Sequence, residues 1–344
     1  MDRARREAPQ GVLDLVVERQ AAREARDFAR ADALRDQVRA AGWLLRDTRE
    51  GPELAAAPPW EPVDPAAIRP RWDEPDQHAV SVIAHVTGWP EDVARALHAL
   101  ATHCAPRAAP RAVPLDYEVL LLDDGADAAT GQALEDLAEE DPAGRVRVLH
   151  LNPSAEHASE RGDAVDGRSA EAIGFGAAMN LGMGQATGRV LVWLDPHVEA
   201  TGDLLTPLLS ALDEPGVGLA GGWGVVTRSM LQFEADDGPE VDAVEGYLLA
   251  VPRRLAARVE VDPKDRYYRN ADLDYSFAIR ALDPGYRAIR LAVPATLHRH
   301  RGWYETDPAE RERASKKNYD RFLAKWRLRT DLLTRGFTGY HQHG

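Results

Sequence analysis

The sequence predicts an α/β protein, with its main domain on a largely parallel sheet behind a small helical unit. Three observations predict it. From Ala79 onward, short apolar runs alternate with stretches of helical period. Two of those runs end abruptly in acids: Val119-Leu120-Leu121-Leu122 in Asp123-Asp124, and Leu191-Val192-Trp193-Leu194 in Asp195. Before Glu53 the chain shows helical spacing, with Val12, Leu15, Val16 and Arg19 at three- and four-residue steps.

The 344 residues are 44% apolar, enough for one sizeable α/β core and a smaller module. No uninterrupted apolar run reaches the roughly 18 residues a membrane span needs. The start, MDRARREAPQ, lacks the apolar core of a secretory signal, so a cytoplasmic chain is expected. The single cysteine, Cys104, excludes an internal disulfide and a cysteine zinc cluster, and its place near a helix end suits a buried thiol. A net charge of -14 makes nucleic acid an unlikely partner. Basic residues do gather between Lys316 and Arg335. Much alanine and arginine with little lysine suits a GC-rich, bacterial-type genome.

The elements follow in order. Residues 1–54 are expected to form a helical hairpin. Asp27 caps its second helix, which runs through Ala40, and Gly42 ends it. Residues 55–78 carry Pro58, Pro59, Pro62, Pro65, Pro70 and Pro75 and read as a semi-rigid linker, with Trp60 and Trp72 pinning it to a surface. The main domain, 79–330, opens with a strand over Ala79–Val86 and a helix over Pro90–His103. A strand over Tyr117–Leu122, a helix over Thr130–Glu139 and a strand over Arg147–Leu151 follow. Asn152–Ala170 is polar and long for a connection, hence a lid or a disordered loop. Then come a helix over Ile173–Ala186, a strand over Val190–Leu194, a helix over Asp203–Leu212 and a strand over Ala288–Val293. Residues 331–344 form a tail.

Parallel sheets bind ligands at the carboxyl ends of their strands. Four polar sets fall in such places. Asp123-Asp124-Gly125 alone is equally an ordinary turn. Gly174-Phe175-Gly176-Ala177-Ala178-Met179-Asn180 opens a helix, where small residues allow either a ligand or close packing. Asp195-Pro196-His197 places a carboxylate and an imidazole two residues apart. That spacing suits a divalent cation on a diphosphate, or simply a strand-end turn. Asp272-Leu273-Asp274 opens another helix, where Asp272 is a general base or an N-cap. His298-Arg299-His300 follows the Ala288–Val293 strand.

In order and spacing, these sets resemble glycosyltransferases of family 2 with the GT-A fold, from about Ala79 to about Trp326. The branch is the one with rhamnosyl- and galactofuranosyltransferase-like enzymes. Glu245-Gly246-Tyr247-Leu248-Leu249-Ala250, Gly285-Tyr286-Arg287 and Lys325-Trp326 extend the match. The resemblance implies a Rossmann-like mixed sheet and an inverting transfer of a sugar from a nucleotide-sugar donor to an acceptor hydroxyl. It makes Asp272 the base. Asp124, with Asp123, would bind the donor's nucleobase, and Gly174 and Asn180 would border the donor. Asp274 would orient the helix or the acceptor, and Trp303 would stack on a sugar or sit in the core. Asp195 and His197 would stand at the metal motif, with His298 or His300 beside them, since the register there is open by two.

Several positions depart from the family. Ala126 replaces a serine, Met179 an arginine, His197 an aspartate and Ala271 a glutamate. With imidazole in the donor set, the expected divalent metal is manganese rather than magnesium. The same departures keep open a catalytically silent nucleotide-binding or scaffold domain. The acceptor is left open, with lipid-linked and polysaccharide hydroxyls as the classes to consider. The basic C-terminal stretch either packs on the core or lies peripherally on the inner membrane face; packing is the favoured expectation.

The N-terminal text also carries a resemblance. Glu18-Arg19-Gln20-Ala21-Ala22-Arg23, Arg26-Asp27-Phe28-Ala29-Arg30-Ala31-Asp32 and the later Gly42, Asp47-Thr48 and Gly51 resemble the C-terminal tail domain of cysteinyl-tRNA synthetases. That implies a helical hairpin more than a function. A stabilising or docking module, serving a homo-oligomer or a protein partner, is expected.

Overall fold

A computed structural model of the chain describes residues 8–48, 51–57, 60, 62–104, 115–125, 127–151 and 172–339. The chain divides into two units, Met1–Glu61 and Pro62–Gly344.

The first unit holds helices α1 (Gln10–Glu24) and α2 (Phe28–Ala40). Asp27 caps the second by accepting the Arg30 N–H, and Gly42 leaves it at φ 80°. The helical expectation fails beyond that glycine. Strands β1 (Trp43–Thr48) and β2 (Gly51–Ala56) form an antiparallel hairpin. The reason is a change of period: Trp43 and Leu45 are buried while Leu44 between them is exposed. Together with Val12 and Val38 they close a core that two short helices could not close alone.

The second unit begins with an ordered strap. Val63 bridges to Leu151, and the Arg71 and Gln77 N–H groups donate to the carbonyls of Gly184 and Thr187. Trp72 packs against the core beneath the Arg253 guanidinium.

The sheet that follows mixes parallel and antiparallel strands. Its central members are β3 (His78–Val86), β4 (Tyr117–Asp123), β5 (Val146–His150) and β6 (Gly188–Leu194), all parallel, in the order β6-β3-β4-β5. Beyond β6 lie β13 (Leu248–Pro252), β8 (Val217–Gly221), β14 (Arg287–Arg290) and β11 (Glu240–Val241). Strand β13 is antiparallel to both its neighbours. The strand expected over Ala288–Val293 stops at Arg290, because its partner β8 ends at Gly221, opposite that residue.

Alternation along the strands feeds two layers. Val82, Leu121 and Val192 face one side, with helix α3 (Pro90–Cys104) and α6 (Leu205–Leu212). Ile83, Leu120, Leu122 and Trp193 face the other, with α5 (Phe175–Gln185) and α8 (Ala271–Ala281). Helix α5 sits very close. A Cβ on Gly182 would lie 2.6 Å from a methyl of Leu122. Helix α4 (Ala128–Glu140) flanks β5. The expected loop Asn152–Ala170 lies outside the described residues.

The closing helix, α10 (Pro308–Trp326), packs on the unit. Phe322 is fully buried against Phe277, with Tyr319, Leu323 and Trp326 around it. Lys316, Arg321, Lys325, Arg329 and Arg335 each pair with an aspartate of the chain. Among the described residues no helix is long and apolar enough to cross a membrane.

Candidate active site

The ends of β3 and β6 open onto one cleft. From β3 comes His85, and from the turn after it Thr87, Gly88 and Trp89, the last in the left-handed region at φ 54°. Strand β6 delivers Asp195 and His197, and the turn before β13 supplies Gly246. Phe175 and Met179 of α5 form part of the wall, with Tyr268 and His300.

Asp195, His197 and His300 bring one ligand atom each to within 4.8 Å of one another. The Asp195 carboxylate accepts from Nδ1 of His197 at 2.7 Å, while Nε2 of His300 stands 3.2 Å away. Burial opposes ionisation of Asp195, but the two imidazoles outweigh it and hold the carboxyl below the ordinary range. The rings form a stack: Tyr268 lies 4.5 Å from His300, and His300 lies 4.2 Å from His197. Behind His197, Nε2 accepts the Arg301 N–H at 3.0 Å and faces the buried Oδ2 of Asp92 at 3.5 Å.

This donor set fits a divalent cation, and with two imidazoles it fits a transition ion better than magnesium. Metal ligation removes the proton from the ligating nitrogen. A metal at Nδ1 of His197 would put the ring proton on Nε2, where Oδ2 of Asp92 would accept it in place of the Arg301 N–H contact.

Two further carboxylates meet at Gly246. Asp272, in the first turn of α8, accepts the Gly246 N–H at 2.8 Å. Burial raises its carboxyl above the ordinary range, partly offset by the Gly246 and Leu273 amides. Glu245 is pushed up to about 7, first by burial and then by the charge of Asp272. A raised carboxyl is a stronger base once ionised, which suits proton removal from a hydroxyl.

The other expected residues have other partners. Asp124 is fully buried, and its carboxylate accepts the N–H groups of Ile173 and Gly174 and faces Nε2 of His85. Asp123 pairs with His150, which also meets Glu135. Gly174, at φ 93°, caps α5, and a Cβ there would press 2.9 Å from the backbone of Arg266. Asn180 is spent on Val261, giving one hydrogen bond to its carbonyl and taking one from its N–H. Asp274 accepts from Lys325 at 2.8 Å and from the Trp326 indole at 2.6 Å, tying α8 to the closing helix. Trp303 lies between the guanidinium groups of Arg269 and Arg311. His298 pairs with Glu199 instead of joining the Asp195 cluster.

Spacing along the sequence does not single out Tyr268, Asp92 or His85, and it marks Glu245 only as the start of a strand motif. Glu245 stands directly before the Gly246-Tyr247 strand start, where an acid at a strand entry is a usable signal. Tyr268 and Asp92 carry no such mark, because only folding brings them to the imidazoles.

Residues 82–239 match the glycosyl transferase family 2 model. The second unit resembles the structure of GalNAc-T7 with UDP, GalNAc and Mn2+, at 17% identity and a TM-score of 0.51, over 72% of this chain and 48% of that one. It also resembles mannosyltransferase PcManGT from Pyrobaculum calidifontis in complex with GDP-Man and Mn2+, at 20% identity and a TM-score of 0.44, over 68% and 58%. Short matches to cysteine–tRNA ligases accompany the N-terminal resemblance. That of Cereibacter sphaeroides is 50% identical over 48 residues, 14% of this chain and 9% of the ligase. That of Latilactobacillus sakei is 58% identical over 40 residues, 12% and 8%. The chain thus spans about a tenth of the length of the curated relatives it matches. Residues 82–239 are thus similar to glycosyl transferase family 2, and the mixed sheet is consistent with a GT-A fold.

Proposed function

We propose that this protein transfers a glycosyl group from a nucleoside-diphosphate sugar to an acceptor hydroxyl with inversion. One observation supports the reading: the Asp195–His197–His300 cluster lines a cleft together with Gly246, whose N–H donates to Asp272. The acceptor oxygen forms its bond to the anomeric carbon as the bond from that carbon to the diphosphate breaks. The bonding pair leaves with the diphosphate, and Asp272 takes the hydroxyl proton. A divalent cation held by Asp195, His197 and His300 would neutralise charge on the departing diphosphate. Tyr268 holds the His300 ring in place by stacking. The acceptor hydroxyl, lipid-linked or on a polysaccharide, would enter beside Asp272 and Glu245.

A thermal-shift screen of nucleotide sugars, with manganese, magnesium or chelator, tests the proposal. A donor should stabilise the fold increasingly as its concentration passes its dissociation constant. Manganese should serve better than magnesium, and chelation should abolish the shift. Release of nucleoside diphosphate in the presence of acceptor extracts should follow. Stabilisation without release under any acceptor would favour a silent nucleotide-binding domain. Equal stabilisation with chelator and manganese would remove the metal from the proposal.

A further inference from the structure

We propose that the acceptor carries an anionic group, a sugar carboxylate or a phosphate, held by Arg269 and Arg311 beside Asp272. This rests on the transfer reading above and names the acceptor class which that reading leaves open.

Tyr268, His300 and Gly302 line the cleft. Arg269 comes directly after Tyr268, and Trp303 directly after Gly302, so the chain sets both at its edge. There Cζ of Arg269 and Cζ of Arg311 lie over the Trp303 indole, 4.5 and 4.4 Å from the ring centroid. Trp303 is thus a platform for two cations rather than for a sugar. Arg311 also donates to the Trp303 carbonyl. On the same segment Arg299 lies over Tyr304 at 4.1 Å and extends the positive edge.

Among the described residues neither Arg269 nor Arg311 has a carboxylate within ion-pair distance, whereas Arg301 and Arg321 each have one. Acids outnumber bases in this chain of net charge -14, so two such guanidinium groups make a local positive field against the general charge. Arg269 is exposed, and none of its side-chain N–H groups is given to another described residue. It also faces the reacting end. Asn270, at φ 68°, turns the chain from Arg269 into α8, whose first turn holds Asp272. The Arg269 charge favours the ionised forms of Asp272 and Glu245.

A guanidinium presents its N–H groups in a planar fork that matches the oxygens of a carboxylate or a phosphate. An acceptor anchored there by its anion presents a neighbouring hydroxyl to Asp272. The anion takes no part in the bonds made and broken.

Ligand-observed NMR titration of the full chain tests this. A chelator is present throughout, so that no cation at Asp195, His197 and His300 can take the anion. The probes are methyl glucuronide against methyl glucoside, and glycerol 3-phosphate against glycerol. At least one anionic probe should bind about 10-fold or more tightly than its neutral partner. That ratio should fall several-fold in Arg269→Gln, and to within about 2-fold when Arg311→Gln is added. Lys317→Gln, an exposed charge further along the closing helix, should leave it unchanged. An unchanged melting temperature certifies the fold of each variant, and Arg269→Gln, at an exposed position, serves alone if the double variant unfolds. A gain with the glucuronide supports the proposal with an acidic sugar as the source. A gain with glycerol 3-phosphate supports it with a phosphate-bearing acceptor. Equal binding of charged and neutral probes by the wild type overturns it, as does a ratio that survives in Arg269→Gln or falls equally in Lys317→Gln. If the anion binds but no nucleotide binds with manganese, the transfer reading fails, and with it the anion's role in an acceptor.

Discussion

Nε2 of His197 lies 3.5 Å from Oδ2 of Asp92, a buried carboxylate oxygen with no well-formed hydrogen bond, while Nδ1 of the same ring faces Asp195. A carboxylate behind a histidine ligand fixes the ring and strengthens the ligand. Asp92→Asn should therefore weaken manganese binding by about 10- to 100-fold. Titration with manganese alone, followed by calorimetry, measures it. Unchanged affinity would reduce Asp92 to a counter-ion for Arg95 and Arg301, which it also meets.

Asp272 holds the Gly246 N–H on one oxygen and its own helix's Leu273 N–H on the other. Asp272→Asn removes the base and can keep only one of these two hydrogen bonds, because its amide NH2 cannot accept. Turnover should fall by about 100-fold or more, with nucleotide affinity nearly unchanged. Full activity in that variant would exclude Asp272 as the base and direct attention to Glu245.

Glu245 makes stability depend on pH. Its carboxyl rises from the ordinary range to about 7, because burial and the Asp272 charge disfavour the ionised form. The folded state keeps a proton that the unfolded chain releases at lower pH. The resulting stabilisation is complete below the ordinary glutamate range and is lost as pH rises through about 7. Glu245→Gln should flatten that slope and gain roughly 1–3 kcal/mol at pH 8. Urea unfolding at pH 5 and pH 8 gives the comparison, and an unchanged slope would show that another group carries it.

The closing helix is a structural element. Phe322→Ala should cost about 3–5 kcal/mol, because the ring is fully buried between aromatic neighbours. Lys316, Arg321 and Lys325 of this helix are paired with aspartates, so full-length protein should not co-sediment with anionic vesicles at low salt. Sedimentation that disappears when Arg327, Arg329 and Arg335 are neutralised would establish a membrane-facing role instead.

Every candidate site residue belongs to the second unit. Removal of residues 1–61 should leave nucleotide binding intact and change oligomeric state or stability. Light scattering and UDP titration of the truncated chain test both. Loss of UDP binding would place part of the site in the first unit. A truncated chain unchanged in every respect would leave recruitment of another protein as the first unit's role.

The sequence by itself determined the alternation of strands and helices, the acids at the ends of β4 and β6, and the arrival of Asp272 in the first turn of a helix. These follow from local periodicity, because side chains two apart on a strand, or three and four apart on a helix, share a face. The change to strands after Gly42 was not written locally, since Trp43, Leu44 and Leu45 are all apolar and only folding buries the first and third while exposing the second. Only the tertiary structure decided which partner each polar group meets. It brought His300, not His298, to Asp195, and gave His298 to Glu199. It set Tyr268 on the His300 ring and Asp92 behind His197. It turned Asp124 inward onto the amides of Ile173 and Gly174 and left His85 facing the cleft. The physical reason is range. A hydrogen bond or a ring stack is settled within a few ångströms. The groups that compete for it come from strand ends and turns far apart in the chain, so spacing along the sequence cannot rank them.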